Sequence, residues 1–272
     1  MRFQKAGDIV FCSAEERDLA FVKEAAETVY AHYHGEGPHW LLPQSDRMWK
    51  ISFGGRAGVL GLRINNRVGC VKLFYDERLR TRVRAASGLS KGRRAYRNGV
   101  RLSQAGVSCP RMLGYAERRP FGPALIVTEL AEGAMRFDLW ALEHGVPRTT
   151  AIALAHFVRD LHDRGISHTD LSPRNILIRR SDPAGGFLLL DYEDARFGPP
   201  VSRRRRLKNL HHLHERVIGY VPLRDRLRFL HTYAPENHKA FRNKLRQMIE
   251  ETDFRWLRTH PDAMRPRSHR RE

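Results

Sequence analysis

Two polar runs, each attached to an apolar strand-like segment, constrain the fold of this chain most. The first is ISHTDLSPRNILI (Ile166–Ile178), and the second is FLLLDYED (Phe187–Asp194). The residues SDPAGG between them are typical of a turn, so the two apolar segments are predicted to form an antiparallel hairpin. In such a hairpin the start of the first strand lies beside the end of the second. The sequence therefore predicts that Asn175 lies next to Asp191, with Asp170 just upstream in the same loop.

These residue types suit metal-dependent phosphoryl transfer. Mg²⁺ takes one or two protein oxygens together with phosphates and waters, which Asn175 and Asp191 can provide. A further carboxylate, Asp170, is then available to orient or deprotonate a hydroxyl nucleophile. Transfer from ATP also needs a cation on the phosphates. Lys72 is the candidate, because it lies at the centre of the predicted strand RVGCVKLFY after a glycine-rich hairpin.

At these residues the chain resembles the protein-kinase-like superfamily. HTDLSPRN is similar to the catalytic-loop pattern H-x-D-L-x-x-x-N, LLLDYEDARF stands where the metal-binding D-F-G is expected, and CVKLF resembles the lysine strand. The chain more closely resembles the lipopolysaccharide core kinases, which phosphorylate heptose or Kdo sugars, over roughly residues 50–235. The segments that carry this likeness are SKGRRAYRNGVRLSQAGVSCPRMLGYAERR, LHDRGISHTDLSPRNIL, LLLDYEDARFG and SRRRRLKNLHHL.

The resemblance implies an α+β, protein-kinase-like, bilobal fold with an antiparallel-sheet N-lobe and a mainly helical C-lobe. The expected divisions are a helical extension over 1–45, an N-lobe over 46–132, a C-lobe over 133–260 and a basic tail over 261–272 that we expect to be disordered.

The same resemblance implies roles for individual residues. Asp170 is the expected catalytic base, Asn175 and Asp191 hold Mg²⁺, and Lys72 grips the α- and β-phosphates of ATP. The remaining assignments are His168 as a brace of the loop, the backbone at Glu129 and Leu130 as the adenine-binding hinge, and Gly54, Gly55 and Gly58 as a phosphate-binding turn. On its own, GGRAG is equally typical of a plain hairpin turn.

Several positions depart from the kinase pattern. The helix glutamate that normally pairs with the lysine should fall near Ala95, where RRAYRN offers only arginines. The motif DYE replaces D-F-G, and no A-P-E segment follows, which disfavours a peptide substrate. Ser172 replaces the catalytic-loop lysine, so we expect Arg174 or another cation to meet the γ-phosphate. Glu193 and Asp194 are interpreted as exposed charges after the metal aspartate.

The charge of the chain points to an anionic partner. The formal net charge is +19, from 49 Lys and Arg against 30 Asp and Glu. We expect binding to the lipopolysaccharide core or another anionic glycolipid and to an anionic membrane surface. Arg203 and Arg204, in a run of four arginines, are candidate anion-binding residues. The basic residues lack the interleaved aromatics of a base-stacking surface, which disfavours specific nucleic-acid binding.

The expected location is the cytoplasm, on the inner face of the inner membrane. No apolar run approaches the roughly 18 residues needed for a membrane span, and MRFQKAGDIVF lacks the apolar core of a signal peptide. Three widely separated cysteines without a CxxC pair favour a reducing compartment. His211, His212 and His214 are spread around a predicted helix, which disfavours zinc.

Two other functions stay open at this point. The first is a small-molecule kinase of the aminoglycoside or choline type, because such kinases share the loop pattern and lack A-P-E. The second is a pseudokinase that acts as a binding module, which the missing helix glutamate suggests. The sequence leaves open the sugar, its hydroxyl, a need for acyl carrier protein, and the oligomeric state.

Overall fold

The computed structural model describes residues 2–33, 45–54, 57–75, 90–119, 122–234 and 239–259. The chain divides into two compact units. The N-terminal unit comprises residues 1–132 and 191–193, and the C-terminal unit comprises residues 133–190 and 194–272.

A seven-stranded antiparallel sheet forms the frame of the N-terminal unit, in the order β1-β2-β6-β7-β5-β4-β3. Its strands are β1 (Arg2–Ala6), β2 (Ile9–Ser13), β3 (Met48–Phe53), β4 (Ala57–Ile64), β5 (Arg67–Phe74), β6 (Met112–Arg118) and β7 (Ala124–Glu129). Buried positions alternate along much of β5, whereas β6 and β7 are buried at almost every position. The β-branched and glycine-punctuated sequence from Trp49 to Tyr75 predicts an antiparallel hairpin and a further strand, which β3, β4 and β5 confirm.

Helix α1 (Glu16–His32) covers one face of the sheet. Its apolar stripe, which includes Val22, Ala26 and Val29, is fully buried against strand residues such as Leu60 and Val71. The helical spacing of Leu19, Val22, Ala26, Val29 and Tyr33 in the sequence predicts this stripe.

The start of α1 differs from the prediction. The spacing of Ser13 and Glu16 predicts a capping box, but that prediction is wrong, because α1 has Glu15 at its N-cap and no side-chain cap. Ser13 instead belongs to β2, where its hydroxyl lies 2.7 Å from the carbonyl oxygen of Leu113. The segment 1–45 therefore contributes two strands to the sheet besides the expected helix.

Helix α2 (Lys91–Gln104) packs against β6 and β7. Ser90 caps it, because the Ser90 hydroxyl accepts a hydrogen bond from the backbone N–H of Arg93 at 3.1 Å. Tyr96 of this helix is fully buried against the ring of Tyr115, at 5.2 Å between centroids. The sequence from Ser90 to Ala105 predicts this helix.

The C-terminal unit is mainly helical. Its described helices are α3 (Phe137–His144), α4 (Arg148–Asp163), α5 (Arg203–Glu215), α6 (Leu223–Tyr233) and α7 (Lys239–Thr259). Two small antiparallel sheets accompany them, with β8 (Ala134–Arg136), β10 (Ile176–Arg179) and β11 (Phe187–Leu189) in one, and β9 (Ile166–His168) and β12 (Ala195–Phe197) in the other. Among the described helices, none has the length and apolar character that crossing a bilayer requires.

Two local predictions in this unit are confirmed. Helix α4 ends just before Gly165, which has a φ of +74° and whose Cβ, if present, would lie 2.1 Å from the carbonyl oxygen of Gly198. Only glycine fits that position. Strands β10 and β11 form the expected antiparallel hairpin, with Ile176 opposite Leu189. The basic tail, residues 261–272, lies outside the described residues.

Candidate active site

Lys72 lies in the middle of β5 and projects from the sheet face opposite to the α1 core. Its neighbours Val71 and Leu73 are fully buried in the core beneath α1. Because side chains alternate along a strand, Lys72 points to the other face. There only 16% of its side chain is exposed.

Two carboxylates hold the Lys72 ammonium within the N-terminal unit. Nζ donates to Oδ1 of Asp191 and to Oε1 of Glu193, each at 2.7 Å. Burial alone would lower the pKa of Lys72, but the attraction of Glu193 and Asp191 outweighs burial and raises that pKa. The lysine therefore stays charged, as its predicted role requires.

Glu193 was not expected here. Its interpretation as an exposed charge is wrong, because only 11% of its side chain is exposed and it pairs with Lys72. The local backbone explains the placement. Asp191 has a φ of +56°, which ends the strand geometry, and Tyr192–Asp194 form a turn of 3₁₀ helix. This turn directs Asp191 and Glu193 to the same ammonium.

Asp170 lies in the loop between β9 and the 3₁₀ turn Pro173–Asn175 of the C-terminal unit. The side-chain amide of Asn175 donates to the backbone oxygen of Asp170 at 2.9 Å and to its Oδ2 at 3.1 Å. These two hydrogen bonds connect Asp170 to Asn175 at the other end of the loop. About half of the Asp170 side chain, 48%, remains exposed.

His212 of α5 contacts the same carboxylate. Its Nε2 lies 2.6 Å from Oδ1 of Asp170, and the imidazole N–H donates because an ionised carboxylate only accepts. Burial alone would raise the pKa of Asp170, but hydrogen bonds from His212 and Asn175 and the charge of His212 lower it. Asp170 is thus kept ionised. No sequence motif indicated a role for His212, because its partner Asp170 is 42 residues away.

His168 contacts three parts of the C-terminal unit. Its Nε2 donates to the carbonyl oxygen of Leu190 at 3.1 Å, and its backbone exchanges hydrogen bonds with the side chain of Asn209 on α5. In the sheet, His168 lies opposite Ala195 of β12. These contacts agree with the predicted role of His168 in holding the loop in place. That role stays a prediction.

The predicted metal ligands have oxygen donors of the right kind. Because Nδ2 of Asn175 is turned to Asp170, the oxygen of that amide is the atom left to bind a cation. Within the C-terminal unit, the backbone N–H of Leu190 donates to the carbonyl oxygen of Asn175 at 2.9 Å. An amide oxygen and a carboxylate are donors that Mg²⁺ prefers. The residues therefore fit this ion, and their assignment stays a prediction.

The expected nucleotide-binding turn is partly outside the described residues, since Gly55 is not among them. Gly54 begins the turn between β3 and β4, with its N–H donating to the carbonyl oxygen of Ala57 at 3.0 Å, and Gly58 lies opposite Leu73 of β5. The backbone of Glu129, at the end of β7, pairs with Gly69. The carbonyl oxygen of Leu130 accepts from Glu132 at 2.9 Å.

The arginines proposed for anion binding are mostly exposed. Arg174 is 68% exposed and lies 3.7 Å from a carboxylate oxygen of Asp138. Arg203 and Arg204 are exposed on the first turn of α5. Arg206, by contrast, pairs with Asp163 at 2.7 Å and serves the packing of α5.

A sheet that carries a buried lysine–aspartate pair, in a chain whose helical unit has an Asp–Asn loop, defines the protein-kinase-like class. The fold comparison agrees with this class. The structure "WaaP in complex with acyl carrier protein" matches with a TM-score of 0.59 and 21% identity, over 94% of this chain and 99% of that one. The predicted α+β, protein-kinase-like fold is confirmed.

Sequence comparison narrows the class to one family. The model of the Lipopolysaccharide kinase (Kdo/WaaP) family matches residues 75–233, more than half of the chain, and the chain belongs to this family. Its relatives include the 3-deoxy-D-manno-octulosonic acid kinases of Mannheimia succiniciproducens, 33% identical over 47% of this chain and 54% of the relative, and of Pasteurella multocida, 27% identical over 44% and 50%. The chain thus spans about half the length of these relatives.

Proposed function

We propose that the chain is an ATP-dependent kinase that transfers the γ-phosphate to a sugar hydroxyl of the lipopolysaccharide inner core, on heptose or Kdo. The observation that carries the proposal is the 2.7 Å ion pair between Lys72 and Asp191, which are 119 residues apart in the sequence. Phosphoryl transfer requires such a lysine beside the metal-binding aspartate. The sugar acceptor is supported by the family to which the chain belongs.

Asp170 acts on the acceptor in this proposal. Its ionised carboxylate accepts a hydrogen bond from the sugar hydroxyl and thereby directs the oxygen toward the γ-phosphate. Asn175 and His212 hold the carboxylate from two sides, so the hydroxyl meets a base of fixed orientation.

The phosphates are held by Lys72 and by the residues assigned to Mg²⁺. Lys72 places its charge against the α- and β-phosphates, and Asn175 and Asp191 are the proposed metal ligands. Mg²⁺ held by these two residues would offset the negative charge that develops on the phosphates during transfer. Arg174 is the proposed cation for the γ-phosphate, at the place where Ser172 replaces a lysine.

The acceptor and the membrane are both anionic, which agrees with the net charge of +19. We propose that exposed arginines, among them Arg203 and Arg204, hold the enzyme peripherally on anionic lipid at the inner face of the inner membrane. Attraction of this kind also concentrates a phosphorylated acceptor near the protein.

The proposal is tested with purified protein, ATP, Mg²⁺ and a panel of acceptors, with mass spectrometry of the products. We expect one added phosphate on core oligosaccharide that contains heptose and Kdo, and none on aminoglycosides or choline. Each reaction is run with and without acyl carrier protein, because the structural neighbour is a complex with that protein. Transfer to aminoglycosides or choline alone would identify the other small-molecule kinase, and ATP binding without any transfer would identify a pseudokinase.

His212 gives this activity a specific pH dependence. Substituting His212→Asn removes a hydrogen bond and a charge that lower the pKa of Asp170, so that pKa rises. The base is then protonated at a higher pH than in the wild type. We expect the acidic limb of kcat/KM against pH to move to higher pH in the variant.

The neighbouring residue His211 provides the control. It is 30% exposed, as is His212, but it faces Glu215 at 3.5 Å. His211→Asn should leave the pH profile unchanged. An acidic limb that stays in place in His212→Asn would contradict the role given to this histidine.

A further inference from the structure

The helix that should supply a partner for Lys72 carries no carboxylate. Helix α2, residues 91–104, reads KGRRAYRNGVRLSQ. Ala95, at the position where protein kinases have their glutamate, is completely buried. Position 99, one turn later, is a glycine against the Tyr192 ring, where an added Cβ would lie 3.5 Å from Cγ. Helix α2 thus faces the segment 191–193 without offering it a negative charge.

The contact between α2 and this segment is made by neutral groups. The side-chain amide of Asn98 donates to the backbone oxygen of Tyr192 at 2.8 Å. The phenol of Tyr192 lies 3.4 Å from the carbonyl oxygen of Pro110. These bonds fix the backbone between Asp191 and Glu193, and they leave the charge on Lys72 to be met by the two carboxylates.

Glu193 is placed for charge rather than for packing. Its Oε1 accepts from Lys72 at 2.7 Å, and its Oε2 is buried without a hydrogen-bond partner among the described residues. A buried polar atom without a partner costs free energy. An apolar side chain at this position would avoid that cost, but it could not attract the Lys72 ammonium. The negative charge beside Lys72 is therefore the reason that a carboxylate suits this position.

Because two carboxylates contact one ammonium, one of them can hold Lys72 while the other binds a metal ion. If Asp191 bound Mg²⁺, its attraction for Lys72 would weaken, because the cation would compete for the same negative charge. Glu193 would still hold the Lys72 ammonium, at the 2.7 Å contact that it makes now. Since both carboxylates come from one short turn, the position of Lys72 does not depend on a charged residue of α2.

We propose that Glu193 is a positioning residue that holds Lys72 for catalysis and replaces the missing helix glutamate from the turn after Asp191. This inference rests on the proposed kinase function. It explains why the chain lacks the helix glutamate and nevertheless retains the other catalytic residues, so the absence at Ala95 no longer argues for a pseudokinase.

The test compares Glu193→Gln with Glu117→Gln. Glu117 is a buried carboxylate of the same unit that accepts from Ser90 at 2.9 Å and pairs with Arg119, away from Lys72. Both variants exchange a buried carboxylate for an amide. Comparing them separates loss of structure from loss of the charge on Lys72.

Three quantities are measured for each variant: thermal stability, the Kd of ATP·Mg²⁺ without acceptor, and labelling of Lys72 by an acyl-phosphate derivative of ATP, read by mass spectrometry. For Glu193→Gln we expect ATP·Mg²⁺ affinity and the Lys72 labelling rate to fall about tenfold or more, the scale expected for a misplaced catalytic group. Where turnover is detected, kcat/KM for ATP should fall by a similar factor while the KM of the acceptor is unchanged. Glu193→Asp should recover part of each loss, because it retains the charge.

Failure of the inference about Glu193 and failure of the proposed kinase function give different results. ATP affinity and Lys72 labelling within twofold of the wild type in Glu193→Gln would overturn the inference, and so would equal losses in Glu117→Gln that follow thermal stability. These readouts need no acceptor. A wild-type protein that binds ATP but phosphorylates nothing would refute the proposed function and still leave the role of Glu193 decided by binding and labelling.

Discussion

Replacing Asp170 with alanine is expected to lower phosphoryl transfer about 10²- to 10⁴-fold, the usual contribution of a positioned acid or base. The groups that contact this carboxylate cannot replace it as a proton acceptor, because Asn175 and His212 both act as hydrogen-bond donors to it. The fold should persist, since 48% of the Asp170 side chain is exposed and the bond from Asn175 to the backbone oxygen remains. Initial rates and thermal denaturation of the purified variant measure the two effects.

Asp160→Ala is the matched control for this substitution. Asp160 is an exposed carboxylate of the same unit, paired with Arg164 one turn further along α4. Its loss should leave the rate near that of the wild type, because exposed pairs of this kind contribute little to stability. A fully active Asp170→Ala protein would refute the assignment of Asp170 as the base.

Local patterns were sufficient for much of the fold. The hairpin of β10 and β11 was predictable because its strands are apolar, its turn residues are characteristic and its partners are close in sequence. Helix α4 was predictable from its period and from Gly165, whose positive φ ends it. In each of these elements the determining residues lie within one short stretch.

The failed predictions arose where distant segments decide the local structure. Ser13 has the spacing of a helix cap, but its backbone pairs with Gly114 and its hydroxyl is close to Leu113, a hundred residues away. That pairing holds Ser13 in a strand. The hairpin of β1 and β2 did have a local signal, in the turn at Gly7 with its φ of +60°.

The candidate site shows the same difference between residues that a local pattern identifies and residues that distant contacts determine. Its loop residues and Lys72 could be identified because each belongs to a recognisable motif. Glu193 could not, since its partner Lys72 is 121 residues away in the sequence. His212 could not either, because its contact with Asp170 arises from the packing of α5 and not from a motif.

Lys72→Met is expected to destabilise the protein as well as to abolish its activity. The substitution removes the cation between Asp191 and Glu193 and leaves two negative charges in one largely buried place. Removing one partner of a buried ion pair costs up to about 3–5 kcal/mol. Urea denaturation measures that loss, and Lys5→Met, at an exposed position of β1, serves as the control.

The double variant Lys72→Met/Glu193→Gln shows whether this cost comes from the carboxylates whose charge Lys72 no longer offsets. With Lys72 gone, Glu193 has no favourable charge partner in this cluster and only repels Asp191. Glu193→Gln should therefore restore stability in that background, although it should cost stability when Lys72 is present. Such a reversal of sign corresponds to a coupling free energy of about 1 kcal/mol or more between the two positions. Additive losses would mean that Lys72 and Glu193 stabilise the fold independently, against the ion pair as the source of the effect.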